Sequence, residues 1–226
     1  PIPVMHDDQH GTAIVVLAGL INAAKVVHKK LENLKIVVVG AGAAGRAVTL
    51  LLLKAGIKDV IVTDSVGAIV KGRAGMAPYK EELARRSNPR KIAGSVADAV
   101  SGADVIIGVS GPGTISRRHI ETMAKDAIVF ALANPIPEIL PEDAFNAGAC
   151  VVATGRSDYP NQVNNALAFP GIFRGALDTG VKKITDEIKL AAARKIASLV
   201  KRPSAGEIVP KVTFPGLVKA VASVIR

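Results

Sequence analysis

Six residues, Gly40-Ala41-Gly42-Ala43-Ala44-Gly45, constrain this 226-residue chain more than any other stretch, because of what flanks them. The apolar run Ile36-Val37-Val38-Val39 leads in, and a second apolar stretch, Ala47 to Ala55, leads out. A further apolar run, Val60 to Val62, follows. Asp64 stands just past it, nineteen positions after Gly45. A lone G-x-G-x-x-G is weak, but strand, glycine turn, helix, strand and terminal acid in this order make a dinucleotide-binding fingerprint. Gly40 allows the tight turn, Gly42 lets the backbone approach a pyrophosphate, and Gly45 lets the helix pack close to the strand. With Ala43 and Ala44 opening it, the helix offers unpaired N–H groups and a partial positive charge to the phosphates. Asp64 is placed to accept hydrogen bonds from the adenosine ribose hydroxyls. The bland alternative, a glycine turn that binds nothing, leaves the position of that acid unexplained.

Strand-like and helix-like stretches alternate through the middle of the chain. Strands are predicted at Val105 to Val109, Ile128 to Leu132 and Val151 to Ala153, besides the two already named. Helices are predicted near Tyr79 to Arg86, Val96 to Val100, Arg118 to Ala124 and Pro141 to Ala147. The alternation implies βαβ units. The expected fold is α/β, a doubly wound parallel sheet (Rossmann-like) with flanking helices and right-handed crossovers. From Gln9 to Leu31 the residues Ile14, Leu17, Ile21, Ala24 and Val27 recur at helical spacing. Two later helices are expected at about Gln162 to Leu177 and Thr185 to Lys201, then a Pro- and Gly-containing loop, Pro203 to Gly216, and a last helix running to Arg226. Residues 1–226 thus read as one dinucleotide-binding domain, with a helical N-terminal segment (1–33) and a helical C-terminal segment (161–226).

Composition removes several classes of function. Hydrophobic residues make up 49% and charged residues 21%, ordinary for a globular protein. The apolar runs are short and broken by Gly and charge, so none suits a bilayer span. Pro1-Ile2-Pro3-Val4 does not read as a signal peptide. Cys150 is the single cysteine, which rules out an internal disulfide and fits a cytoplasmic protein; its apolar setting suggests a buried small hydrophobe. The net charge of +10 can mark a nucleic-acid binder, but the basic residues are scattered, aromatics are 3% and Trp is absent, so stacking platforms are scarce. Neither nucleic acid nor membrane is expected as a partner.

Two further patterns carry chemistry. His6-Asp7-Asp8-Gln9-His10 superficially matches the zinc-protease pattern H-E-x-x-H, with Asp for Glu, Gly11 following at once and no third ligand nearby. Two adjacent acids at a helix start also suit its dipole and its cap, and neighbours pointing about 100° apart can serve two different roles. Asparagines cluster in Ala131-Leu132-Ala133-Asn134-Pro135 and Asn161-Gln162-Val163-Asn164-Asn165, both following strand-like runs. In an open parallel sheet, ligands bind beyond the carboxyl ends of the strands, where such amides can face an anion or a nicotinamide. Turn formation and helix capping explain them equally well. Ser110, directly after the Val105 run, joins the expected cofactor-binding residues.

Five blocks together carry a family resemblance. They are Pro3 to Ala13, Gly40 to Gly45, Phe130 to Pro135, Ala153 to Asn165, and Phe169-Pro170-Gly171. In this order and over nearly the whole chain they resemble the cofactor-binding part of malic enzymes, most closely the prokaryotic type. The resemblance implies oxidation of malate with a nicotinamide cofactor and Mg²⁺ or Mn²⁺, followed by decarboxylation to pyruvate. It implies that Asp8 is a metal ligand, that Asp7 is catalytic, and that Thr12 lies near the cofactor. It further implies that Asn134 and the Asn164-Asn165 pair contact malate, with Asn134 and Asn165 also at the nicotinamide end. The family's acid–base tyrosine and lysine and two other acidic ligands precede the His6-Asp7-Asp8 block, so an upstream malic-enzyme domain is expected to supply them. This chain alone is expected to bind cofactor without brisk turnover, and a homo-oligomer is expected. A non-catalytic dinucleotide-binding module and a different 2-hydroxy-acid or amino-acid dehydrogenase are the alternatives. Asp64 favours NAD, whereas Lys71 and Arg73, nearby, could serve NADP.

Overall fold

The apolar runs become the strands of one sheet. In the computed structural model, which describes residues 2–226, these are β1 (Lys35–Val39), β2 (Asp59–Asp64), β3 (Gly67–Ala68), β4 (Val105–Gly108), β5 (Ala127–Ala131) and β6 (Ala149–Thr154). Their order is β3-β2-β1-β4-β5-β6. All pairings are parallel except the short edge pair of β2 with β3. The helices are α1 (Thr12–Val26), α2 (Ala43–Lys54), α3 (Pro78–Arg86), α4 (Val96–Val100), α5 (Arg117–Glu121), α6 (Pro141–Asn146), α7 (Phe169–Thr179), α8 (Asp186–Leu199) and α9 (Leu217–Ala222).

Successive side chains of a strand point to opposite faces, so each apolar run feeds two cores. Ile36, Val38, Val60, Val62, Ile107 and Phe130 face α1, α2 and the C-terminal helices. Val37, Val39, Ile61, Ile106, Val129 and Val152 face residues of α4, α5 and α6. Strands buried on both faces account for their near-continuous apolar sequence. Helix α1 packs on α2 and α8, and α7 packs on α9, so both helical end segments join the core of one sheet face. Gly19 of α1 lies against the fully buried Phe130 ring, where a Cβ would come within 3.2 Å. Cys150 is half-buried and packs against the same core.

The helix expected at Gln9 to Leu31 is shorter and has two parts. Asp7–Gly11 form a π-helical turn and α1 follows. It stops because the chain must turn toward β1: His28 takes a left-handed φ of 54°, and Lys29 N–H closes on Ala24 O at 2.9 Å. The helix expected from Gln162 begins only at Phe169, with Pro170 in its first turn. Residues before it are held elsewhere: Val163 N–H donates to Thr154 O at 2.8 Å, and the Asn164 side chain caps Ala166 N–H at 3.0 Å. Helix α5 ends before the expected Ala124, because that N–H goes to Ala103 O instead. Among the described residues no helix is long and apolar enough to cross a membrane.

Candidate functional site

The sheet grows in opposite directions from the β1–β4 pair, so the loops leaving these two strands diverge. Such a switch point opens a crevice at the carboxyl ends of the strands. A cleft of about 520 Å³ lies there. Its walls bring together Asp7, Asp8 and Thr12 from the N-terminal turn, Ala44 from α2, Ser110 after β4, Asn134 after β5, and Asn164 and Asn165 after β6. These eight residues are scattered over the sequence, and the topology gathers them. Gly40, Gly42, Ala43 and Gly45 form the turn beside Ala44, whereas Asp64 stands apart from this lining, at the end of β2.

The turn has little slack. Gly40 has φ 118° and donates its N–H to Thr63 O at 3.0 Å; a Cβ there would lie 2.5 Å from Val109 O. A Cβ on Gly45 would lie 1.8 Å from Gly40 O. Gly42 differs, because a Cβ there would meet nothing within 4 Å. Packing therefore requires Gly45, while the space over Gly42 is open. The first internal bond at the start of α2 runs from Arg46 N–H to Gly42 O at 2.9 Å. The N–H groups of Ala43, Ala44 and Gly45 thus have no helical acceptor, the arrangement that receives phosphate oxygens.

In the N-terminal turn, which packs against α2, neither acid caps its helix: the cap residue is His6, with no side-chain cap bond, and Asp7 and Asp8 occupy the first turn. Gly11 makes room for Asp7, since a Cβ there would fall on its Oδ1. That Oδ1 is buried without a partner. Burial raises the Asp7 pKa, the nearby Asn165 amide partly offsets this, and the Asp8 charge raises it further. Thr12 Oγ1 donates to Asn165 Oδ1 at 3.0 Å, and Asn165 Nδ2 donates to Asp7 O at 3.3 Å. Asn165 is therefore an inner brace as well as a lining group. Asn134 is freer: its one bond is a long 3.5 Å contact to Leu132 O, and Gly155 gives it room.

Asp64 is fully engaged. Arg73 Nη1 and Val66 N–H donate to Oδ1 at 2.9 Å each, while Arg73 Nη2 and Lys80 Nζ donate to Oδ2 at 2.6 and 2.7 Å. Four donors fill the roughly four lone-pair sites of a carboxylate. Burial would raise its pKa, but these bonds outweigh it and hold the carboxyl well below the usual range. Lys80 lies sixteen positions beyond Asp64, on α3, too far along the chain for spacing to reveal the bond. Lys71 makes no hydrogen bond with Asp64.

Among the described residues, no three His, Cys, Asp or Glu side chains gather to hold a metal. Asp8 offers a hard anionic oxygen of the kind that Mg²⁺ or Mn²⁺ takes. The zinc-like pattern gains no support: His10 lines a different pocket, beside Arg46 and Lys189, from the one that Asp7 and Asp8 line.

A family profile described as "Malic enzyme, NAD binding domain" matches residues 9–223. The chain belongs to that family. The NAD-dependent malic enzyme of Geobacillus stearothermophilus is 53% identical over 226 residues, covering 99% of this chain and 47% of that protein. An NADP-dependent malic enzyme of Halomonas elongata is 47% identical over 205 residues, covering 89% of this chain and 48% of that protein. The crystal structure of the malic enzyme from Pyrococcus horikoshii superposes with a TM-score of 0.94 at 49% identity, covering 99% of this chain and 54% of that chain. This malic-enzyme domain thus spans about half the length of these relatives. The Rossmann-like architecture and the family expected from the five sequence blocks both hold. Relatives of both cofactor types place NAD and NADP equally within the family.

Proposed function

We propose that this chain supplies the cofactor-binding wall of a malic-enzyme active site, which oxidises malate and decarboxylates the product to pyruvate. The observation that carries the reading is the meeting of Asp7, Asp8 and Thr12 with Ala44, Ser110 and the three asparagines in one cleft. The Ala43-Ala44-Gly45 amides bind the pyrophosphate of the cofactor and fix its direction along the cleft. Ser110 and Asn134 line its path toward the nicotinamide end. Asn134 and Asn164 offer amide donors to a malate carboxylate, and Asn165 holds Thr12 and the acidic turn in register. Asp7, its pKa raised by burial, is the group on this wall suited to hold or move a proton. Asp8 contributes one oxygen to a divalent ion. When bound, the ion would supply Lewis-acid polarisation and the nicotinamide the hydride chemistry. The remaining acid–base and metal groups come from outside this chain.

Reaction stoichiometry tests the assignment. In the assembled enzyme, malate oxidation should release one CO₂ per nucleotide reduced and require a divalent ion. Oxidation without CO₂ and without metal dependence would instead indicate another dehydrogenase. This chain alone should bind cofactor yet give negligible pyruvate, since loss of positioned acid–base groups costs about 10²–10⁴-fold. Brisk pyruvate formation by the chain alone would sink that division of labour.

NAD is the proposed cofactor in preference to NADP. Arg73 is committed to Asp64 in a two-pronged bond, and diverting it to a 2′-phosphate would strip a carboxylate whose side chain is 7% exposed. Lys80, more exposed at 23%, is the donor that can yield to a ribose hydroxyl. Asp64→Ala should weaken NAD binding and, by freeing Arg73 and Lys80, narrow or reverse the gap to NADP. Parallel titrations with both nucleotides measure this. Tighter NADP binding by the unmutated protein would refute the preference, and an unchanged NAD affinity would mean that Asp64 does not touch the ribose.

A further inference from the structure

Glu138 is 1% exposed, yet it lies in the loop between β5 and α6. A buried carboxylate is costly unless hydrogen-bonded. Here Oε1 accepts from Ser110 N–H at 2.8 Å, and Oε2 accepts from Ala133 N–H at 3.0 Å. One side chain therefore spans the loop leaving β4 and the loop leaving β5, immediately beside two residues that line the cleft, Ser110 itself and Asn134. The Glu138 main-chain O also accepts from Gly113 N–H at 3.0 Å, so the β4 loop is tied at both ends. On the partner strand, Gly108 leaves the space that the carboxylate fills: a Cβ there would lie 2.5 Å from Glu138 Cδ. Neither residue carries a signal in the sequence, since Glu138 follows a Pro-rich turn and Gly108 interrupts an apolar strand.

We propose that Glu138 is a positioning residue: its carboxylate clamps the β4 and β5 loops together and so sets where Ser110 and Asn134 meet the cofactor. The clamp reaches both loops through one side chain, because each carboxylate oxygen accepts a main-chain N–H from a different loop. It suits a cleft at the switch point, where strands β4 and β5 hold the loop bases but nothing in the sheet ladder fixes the loops beyond them. The proposal rests on reading this cleft as the cofactor site.

Glu138→Gln keeps the shape and replaces one acceptor oxygen by an NH₂ group, which leaves Ser110 or Ala133 N–H facing a donor. In the whole protein, amide exchange at Ser110 or Ala133 should quicken by roughly tenfold or more. Exchange in β1 and β2 should stay as it was. Reduced nucleotide, titrated by its fluorescence, should bind at least about tenfold more weakly. In the assembled enzyme kcat/KM for malate should fall by up to about 10²-fold, as expected when reacting groups shift by about an ångström. Gly108→Ala, which displaces the carboxylate without deleting it, should loosen the same two amides. Unchanged exchange at both amides in Glu138→Gln would overturn the clamp. Faster exchange with unaltered nucleotide affinity and kcat/KM would overturn its positioning role. Failure of the unmutated protein to bind any nucleotide would overturn the site reading and the positioning role with it, while the exchange data would still report the clamp.

Discussion

Asp7→Asn in the assembled enzyme is expected to lower kcat for malate by about 10²–10⁴-fold while leaving the divalent-ion affinity nearly unchanged. The two neighbouring acids differ in their surroundings. Asp7 turns a buried, unpartnered Oδ1 into the space vacated by Gly11, and its pKa is raised by that burial. Such a group is suited to proton transfer, and an amide of the same shape removes the proton without disturbing the π-helical turn. Asp8 is the complementary case. Asp8→Ala should abolish the enhancement of malate binding by Mg²⁺ or Mn²⁺, because a hard cation loses an anionic oxygen. Malate titrations with and without metal, alongside single-turnover rates, separate the two effects. Unchanged metal dependence in Asp8→Ala would move the metal site elsewhere, and a normal turnover rate in Asp7→Asn would end the catalytic assignment.

Gly45→Ala is expected to destabilise the domain by about 3 kcal/mol or more, at the upper end of overpacking costs. Its Cβ would fall 1.8 Å from Gly40 O and 2.9 Å from Gly40 C, and both are main-chain atoms of a turn that is itself pressed against Val109 O. No side-chain rotation relieves that contact, so α2 must lift from β1. Gly42→Ala should behave oppositely. With nothing within 4 Å of its Cβ and an ordinary φ of −74°, it should cost no more than about 1 kcal/mol, chiefly through the cap position. Urea midpoints for the two variants should therefore differ widely. Equal midpoints would mean that the turn tolerates a side chain at Gly45.

What the sequence disclosed follows from which interactions are local. Strand runs such as Ile36 to Val39 and the spacing of Gly40, Gly42, Gly45 and Asp64 depend on backbone sterics and on burial of both sheet faces, so they are readable in one dimension. The meeting of Asn165 with Thr12 and Asp7, 153 and 158 positions away, is not readable from spacing; only the family resemblance places them together. Helix boundaries failed where tertiary bonds competed with propensity, as when Val163 N–H joined Thr154 O and delayed α7 to Phe169. The fate of Asp64 was half visible. Arg73 is a cation within reach along the chain, but its bidentate bond and the arrival of Lys80 from α3 are set by tertiary structure rather than spacing. Glu138 carried no local signal, because its two partners belong to different strands' loops.

In the proposed function, the cleft beside the Gly40–Gly45 turn receives a nicotinamide dinucleotide. Titrating NAD and NADP into the unmutated protein and into Gly42→Ala, with folding checked by urea midpoint, tests it most directly. Saturable binding of dinucleotide by the unmutated protein is expected, with a loss of at least about tenfold in Gly42→Ala at near-equal stability, because the added methyl stands where the pyrophosphate approaches the backbone. Equal affinity for the two proteins, or no binding of either nucleotide by the unmutated one, would contradict it.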